Sequence, residues 1–250
     1  MDLGLKNKVV LVTGGSRGIG RAICKAFAEE GARVGVNYRQ SRAEAETLVK
    51  AIGAKQALAI AGDVAKTGDI AAMFDALEKA FGPVDVLINN AAYCPSGPIE
   101  SYTREEWEHT FAVNVTGAFL ASQELIKRLR ARKAKGRIVN IASQAAFLGS
   151  TSGHLPYDAS KGALVSMTRA IAREVAQEGI QVNAVAPGMV LTEMVAKIWE
   201  ERKERYLARI PLRRIGEPAE IANVVVFLAS DAASYMTGTT VDVSGGLLMR

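Results

Sequence analysis

The sequence is poor in the residues that build disulfide frameworks and metal centres. Its 250 residues hold two cysteines, Cys24 and Cys94, and two histidines, His109 and His154. Two cysteines make no disulfide framework, and none of these residues has the spacing of a zinc site, so no metal is expected. No run approaches the roughly 18 apolar residues of a membrane span. Met1 to Lys8 also lacks the apolar stretch of a signal peptide. A cytoplasmic setting without membrane contact is the expectation. No Pro/Ser/Gly-rich linker divides the chain, so one domain over 1–250 is expected, long enough to bury roughly three quarters of its unfolded surface. The balance of charge is mildly basic, 31 Lys and Arg against 26 Asp and Glu. The excess gathers at Lys127, Arg128, Arg130, Arg132, Lys133, Lys135 and Arg137. Such a cluster is either a solvated helix end that suits cations or a surface that attracts an acidic partner. No aromatic-interleaved basic motif accompanies it, so nucleic acid is not an expected partner.

What is present is a steady alternation of short apolar runs and amphipathic stretches. Strands are predicted at 8–13, 33–38, 57–61, 84–89, 137–142, 181–186 and 240–243. Helices are predicted at 19–29, 41–52, 67–81, 104 to about 130, 157–178 and 218–229, with a polar helical stretch at 193–207. Ser41 is expected to cap the second of them. Repeated strand–helix units call for a parallel sheet with helices on both faces. Right-handed crossovers then give an α/β fold of Rossmann type, a doubly wound, seven-stranded parallel sheet. Its ligands bind outside the carboxyl ends of the strands.

Between the first strand and helix lies Thr13-Gly14-Gly15-Ser16-Arg17-Gly18-Ile19-Gly20. A glycine-rich turn there lets backbone approach a pyrophosphate, whose charge meets the helix N-terminus. The spacing is Gly-x-x-x-Gly-x-Gly rather than Gly-x-Gly-x-x-Gly. The second strand ends in Asn37-Tyr38-Arg39, without the carboxylate that would bond a ribose 2′-hydroxyl and repel a 2′-phosphate. Arg39 and Arg17 are placed to grip such a phosphate by bidentate hydrogen bonds. The cofactor expected is therefore NADP(H). Further along, Tyr157-Asp158-Ala159-Ser160-Lys161 sets a phenol and an ammonium four residues apart, on one face of a helix. A free tyrosine titrates near pH 10. Lysine and an oxidised nicotinamide are expected to acidify it.

The glycine spacing, Asn89-Asn90-Ala91-Ala92, Asn114 in Asn114-Val115-Thr116-Gly117, Ser143 and Tyr157-x-x-x-Lys161 occur in the order of the short-chain dehydrogenase/reductases. The chain resembles that family over almost its whole length. Ala92 departs from the family's usual last glycine of Asn-Asn-Ala-Gly. The resemblance implies hydride transfer between NADP(H) and a carbonyl or secondary alcohol. In it Tyr157 transfers the proton, Ser143 stabilises the carbonyl oxygen, Lys161 supports the tyrosine and the nicotinamide ribose, and Asn114 orders a water. It also implies a cofactor path along Gly14, Ser16, Arg17, Gly18, Ile19, Gly20, Asn37, Tyr38, Arg39, Asp63, Val64, Asn90, Ala91, Tyr157, Lys161, Pro187, Gly188, Val190 and Thr192. A substrate lid is expected around 189–215, where Lys197, Glu200, Glu201, Arg202, Lys203, Glu204 and Arg205 are interspersed with Met194, Ile198, Trp199 and Tyr206.

Two substrate classes stay open. The likeness extends to β-ketoacyl-acyl-carrier-protein reductases, whose acidic partner the basic cluster would suit. A carrier-docking arginine of those enzymes would, however, fall near Glu178. Residues 36–41 and 215–218 resemble stretches of glucose-type sugar dehydrogenases, and a small-ketone reductase is also open. A non-catalytic NADP sensor on the same fold is a reading of another class. A homotetramer is implied by resemblance. His154 is read either as a substrate contact or a loop residue, His109 as a surface residue, and Cys94 as packing near the pocket.

Overall fold

Each predicted apolar run finds a neighbour in one sheet. The computed structural model describes residues 2–150, 153–193, 195, 203–204 and 206–249. Among them seven strands run parallel in the order β3-β2-β1-β4-β5-β6-β7. They are β1 (Val9–Val12), β2 (Arg33–Tyr38), β3 (Ala57–Ala61), β4 (Val86–Asn89), β5 (Gly136–Ile141), β6 (Ile180–Pro187) and β7 (Thr240–Val243). Every residue of β1 and β4 is buried, as a sheet covered on both faces requires.

The helices are α1 (Gly18–Glu29), α2 (Arg42–Ile52), α3 (Thr67–Phe81), α4 (Arg104–Phe111), α5 (Gly117–Ala131), α6 (Ala145–Leu148), α7 (Leu155–Val175) and α8 (Pro218–Leu228). One core layer brings Ile23 and Phe27 of α1, Leu48 of α2 and Val225 and Leu228 of α8 against the sheet. The other brings Phe74 and Leu77 of α3 and Leu125 and Leu129 of α5 against Leu11, Leu87 and Ile138. Strand order reverses at β1 and β4, and a crevice opens outside their carboxyl ends. Among the described residues no helix is long and apolar enough to cross a membrane, and no cluster is suited to hold a metal.

Two local expectations need correction, and one short helix was not expected. The single helix predicted from 104 is two helices, α4 and α5, joined by a π-helical turn at Ala112–Thr116 that contains Asn114. An extra residue in one turn keeps both helices nearly in line, so apolar periodicity does not reveal it. Ser41 stands at the N-cap of α2 but makes no capping bond with its side chain. The short α6, directly after Ser143, has too few residues to show a period. Of the expected lid, Met194, Lys197, Ile198, Trp199, Glu200, Glu201, Arg202 and Arg205 lie outside the described residues.

Candidate active site

The crevice is braced by three side chains at the end of β1. The Thr13 hydroxyl donates to Ile88 O at 3.2 Å and accepts the N–H groups of Asn90 and Ala91 at 3.0 and 3.1 Å. Asn90 Nδ2 donates to the carbonyls of Thr13 and Gly14 at 2.9 and 3.0 Å. Asn37, 2% exposed, accepts the Gly14 N–H at 3.0 Å and donates to Gly62 O at 3.0 Å. These amides hold the glycine turn against β2, β3 and β4; Asn37 and Asn90 thus serve the shape of the turn. Gly14 and Gly18 have φ of +61° and +54°, the left-handed region that glycine adopts without strain. A Cβ on Gly20 would press on the Gly14 carbonyl and come within 2.5 Å of Asn90 Nδ2.

The turn borders a cleft of about 560 Å³, a volume ordinary for small-molecule sites. Gly14, Ser16, Arg17, Gly18, Ile19 and Gly20 form one wall; Asn37, Tyr38, Arg39, Asp63 and Val64 form the next, and Asn90, Ala91 and Thr192 continue it. Arg39 lies 3.9 Å from Asp63, a long ion pair, with its side chain 46% exposed. Gln40, Ser41, Gly62, Tyr93, Val113 and Glu193 also border the cleft and were not foreseen. Gln40 and Ser41 carried a signal in their position next to Arg39; the others carried none. Pro187 ends β6, and Gly188 and Val190 follow it toward Thr192. Gln144 N–H donates to Pro187 O at 3.0 Å, which joins this segment to Ser143.

The reacting end lies next to the cleft through Tyr93. Asn114, 1% exposed, accepts the Tyr93 N–H at 2.7 Å and donates to Tyr93 O at 2.9 Å. Its amide also donates to Ser160 Oγ at 2.9 Å, and Ser160 donates to Tyr157 O at 2.6 Å. The Ser143 side chain lies close enough to the Tyr157 phenol to favour its ionised form. Lys161 Nζ lies 5.4 Å from the Tyr157 ring centroid and donates to Ile141 O at 2.6 Å. The four residues expected at the reacting centre are therefore brought together. Cys94 Sγ sits 3.7 Å from His154 Nδ1 at the same end. Burial pushes the Cys94 thiol up to about 11, so it is a neutral group.

The expected acidic phenol is not produced by these side chains. Burial pushes Tyr157 above its ordinary range, the neighbouring Cys94 adds to the rise, and Ser143 opposes it. Lys161 is itself desolvated, its pKa lowered from 10.5 to about 8. A buried cation with a depressed pKa costs stability, about 3 kcal/mol at neutral pH for this shift. The unfolded chain binds the extra proton between about pH 8 and 10.5, so this cost fades as pH rises through that window. Lys161→Met is accordingly expected to raise the melting temperature at pH 7. By pH 10 most of that advantage is gone, which paired thermal melts at the two pH values will check.

The whole chain superposes on a crystal structure whose full length it covers, a short-chain dehydrogenase/reductase, glucose/ribitol dehydrogenase, from Brucella melitensis, with TM-score 0.93 and 32% identity. The chain belongs to the short-chain dehydrogenase/reductase family. Residues 14–248 match the family described as Enoyl-(Acyl carrier protein) reductase. The chain is 41% identical to 3-oxoacyl-[acyl-carrier-protein] reductase FabG of Staphylococcus epidermidis, over 97% of this chain and 100% of the relative. It is 38% identical to the reductase of the same name from Aquifex aeolicus, over 99% and 100%. Uncharacterized oxidoreductase YgfF of Escherichia coli K12 is 39% identical over 95% and 99%.

In this member of the family the four arginines of the basic cluster are engaged by acids or carbonyls, and its three lysines are exposed. Arg128 binds Asp75, Glu78 and Glu124 at 2.6–2.7 Å and lies over the Phe74 ring. Arg130 grips Glu178 with two bonds of 2.8 and 2.7 Å, and Arg137 meets Asp231 at 3.3 Å. Arg132 bonds Val84 O and approaches Asp85, just before β4. The cluster therefore sits at the amino ends of β4 and β5. A six-residue strand is roughly 20 Å long, so β5 separates the cluster from the cleft by about that length.

Proposed function

We propose that this is an NADP(H)-dependent oxidoreductase that interconverts a carbonyl and a secondary alcohol, with 3-oxoacyl thioesters as its substrate class. The reading is carried by one observation, the half-buried Tyr157 phenol with the Lys161 ammonium 5.4 Å from its ring and Ser143 within interaction range. The glycine turn suits a dinucleotide: it borders the cleft, and a Cβ at Gly14 or Gly20 would strike Ala91, Asn90 or the Gly14 carbonyl and distort it. Arg17, Arg39 and Ser41 gather where a 2′-phosphate would lie, and no carboxylate stands at Tyr38. Asp63 and Val64 border the adenine end, and Pro187, Gly188, Val190 and Thr192 the nicotinamide end. When bound, the nicotinamide supplies or accepts the hydride.

Tyr157 keeps its proton until the carbonyl oxygen takes it, acting as the general acid in reduction. Ser143 meets the same oxygen as its charge develops. Lys161 places positive charge beneath the ring, and Asn114 fixes the π-helical turn where a water passes protons outward. The thioester class rests on the relatives from Staphylococcus epidermidis and Aquifex aeolicus.

A second reading, a free ketone, sugar or polyol as substrate, is favoured by the ion pairing of the basic cluster, above all Arg130 with Glu178. NADPH oxidation with a 3-oxoacyl thioester, free and carrier-linked, beside small ketones, and NADP reduction with sugars, separates the two. Turnover of the thioester is the expected result. Silence with every carbonyl and alcohol, together with tight NADPH binding, would instead identify a sensor. A cytoplasmic homotetramer completes the reading. Trp107, Phe119 and Phe227, more than a third exposed on α4, α5 and α8, support assembly. Light scattering gives the mass directly.

A further inference from the structure

The substrate end holds a carboxylate with no part in the proposed chemistry. Asp158 follows Tyr157 on α7, and its Oδ2 accepts the N–H and hydroxyl of Ser150 at 2.6 and 2.7 Å. Ser150 Oγ accepts the His154 N–H at 3.2 Å. His154 then reaches the segment after β4, its Nδ1 lying 2.8 Å from Pro95 O. A carbonyl only accepts, so Nδ1 carries the proton in the neutral ring. Nδ1 thus has no lone pair to offer the Cys94 thiol, and their 3.7 Å contact is packing. Two more bonds tie the same segments: Gly97 N–H and the Tyr102 hydroxyl both donate to Gly153 O, at 2.9 and 2.7 Å. Gly153 has φ of +70°, and a Cβ there would strike the Gly97 carbonyl, so the approach demands glycine.

We propose that Asp158 is a positioning residue for the carbonyl substrate, holding His154 and Cys94 through Ser150 as a preformed wall beside Tyr157. The inference rests on the reading of Tyr157 as the proton donor to a carbonyl. Cys94 belongs to that wall, its Sγ 3.7 Å from His154 Nδ1 and next in sequence to Pro95, whose carbonyl His154 meets. Asp158 Oδ1 is buried and finds no hydrogen-bond partner. Burying a carboxylate oxygen unsatisfied is costly. Asp158 nonetheless keeps its other oxygen on Ser150, the one link from α7 side chains to this loop among the described residues. A preformed wall lowers the ordering cost of substrate binding and leaves the dinucleotide untouched.

The test uses the full-length protein with Asp158→Ala and Asp158→Asn, and four measurements: carbonyl KM, kcat, the NADPH Kd and amide exchange. Asp158→Ala is expected to raise the carbonyl KM about tenfold, the scale of one or two lost hydrogen bonds. It leaves kcat within about threefold and the NADPH Kd unchanged, a split seen when binding alone is lost. Amides of the segments holding Gly97 and Ser150 should exchange faster together. Asp158→Asn, whose amide oxygen still accepts the Ser150 N–H, should recover most of the loss. An unchanged carbonyl KM, a parallel rise in the NADPH Kd, or loosening at Ser150 alone would overturn the inference. A wild-type protein inactive on every carbonyl sinks the proposed function instead, and the exchange measurement still tests the wall.

Discussion

Tyr157→Phe is expected to lower kcat by about a thousandfold while the NADPH Kd stays within about twofold. The phenol oxygen is the group placed to protonate a carbonyl, and general acid catalysis of this kind contributes roughly a hundred- to ten-thousandfold. A thousandfold corresponds to about 4 kcal/mol of lost transition-state stabilisation. The substitution keeps the ring that packs against Lys161, and Lys161 keeps its bond to Ile141 O, so the fold has little reason to change. Ser143 loses the nearby hydroxyl but retains the Ala145 N–H that it accepts at 3.1 Å. Single-turnover kinetics with fluorescence titration of NADPH will separate chemistry from binding. Turnover within tenfold of the wild type would remove Tyr157 from the mechanism.

Arg39→Asp is expected to cut kcat/KM for NADPH by about a hundredfold and to raise that for NADH. A hydrogen bond to a charged group contributes roughly 1.5–3 kcal/mol, and charge reversal adds repulsion of the phosphate. The guanidinium is available for that role. Its approach to Asp63 is 3.9 Å, too long for a hydrogen bond, and nearly half its side chain is exposed. The new carboxylate would stand one residue past Tyr38, near the place where a ribose 2′-hydroxyl is read. Arg17→Ala should weaken NADPH less, since it removes one cation without adding an anion. Wild-type preference for NADH in side-by-side kinetics would overturn the NADP(H) assignment.

Much of this site could be read from spacing because its chemistry is local in sequence. The glycine turn needs small residues at fixed offsets, and Tyr157 and Lys161 share a helix face by virtue of being four apart. The sheet was equally legible, since parallel strands are buried on both faces and appear as unbroken apolar runs. What escaped depends on partners far away in the chain. Nothing near Arg128 or Arg130 announces that Asp75, Glu78, Glu174 and Glu178 converge on them, so the sequence left a solvated helix end and a surface for an acidic partner both open. Asn37, expected as a cofactor contact, borders the cleft and has a second task that spacing does not reveal. Its amide also spans β2, β3 and the glycine turn, a role set by register between strands. The π-helical turn at Ala112–Thr116 is also a tertiary matter, since Asn114 is held there by Tyr93 and Ser160 from other elements. Lys161 and an oxidised nicotinamide were expected to acidify Tyr157; among the side chains alone desolvation dominates and acts on both groups.

The segregation of the molecule into two ends has a practical corollary. Lys127, Lys133 and Lys135 stand at the amino-end rim of the sheet, a strand's length from the crevice. Amine coupling through that rim would fasten the protein to an electrode or bead with its mouth turned outward to the solution. A random orientation would bury a share of the mouths against the support.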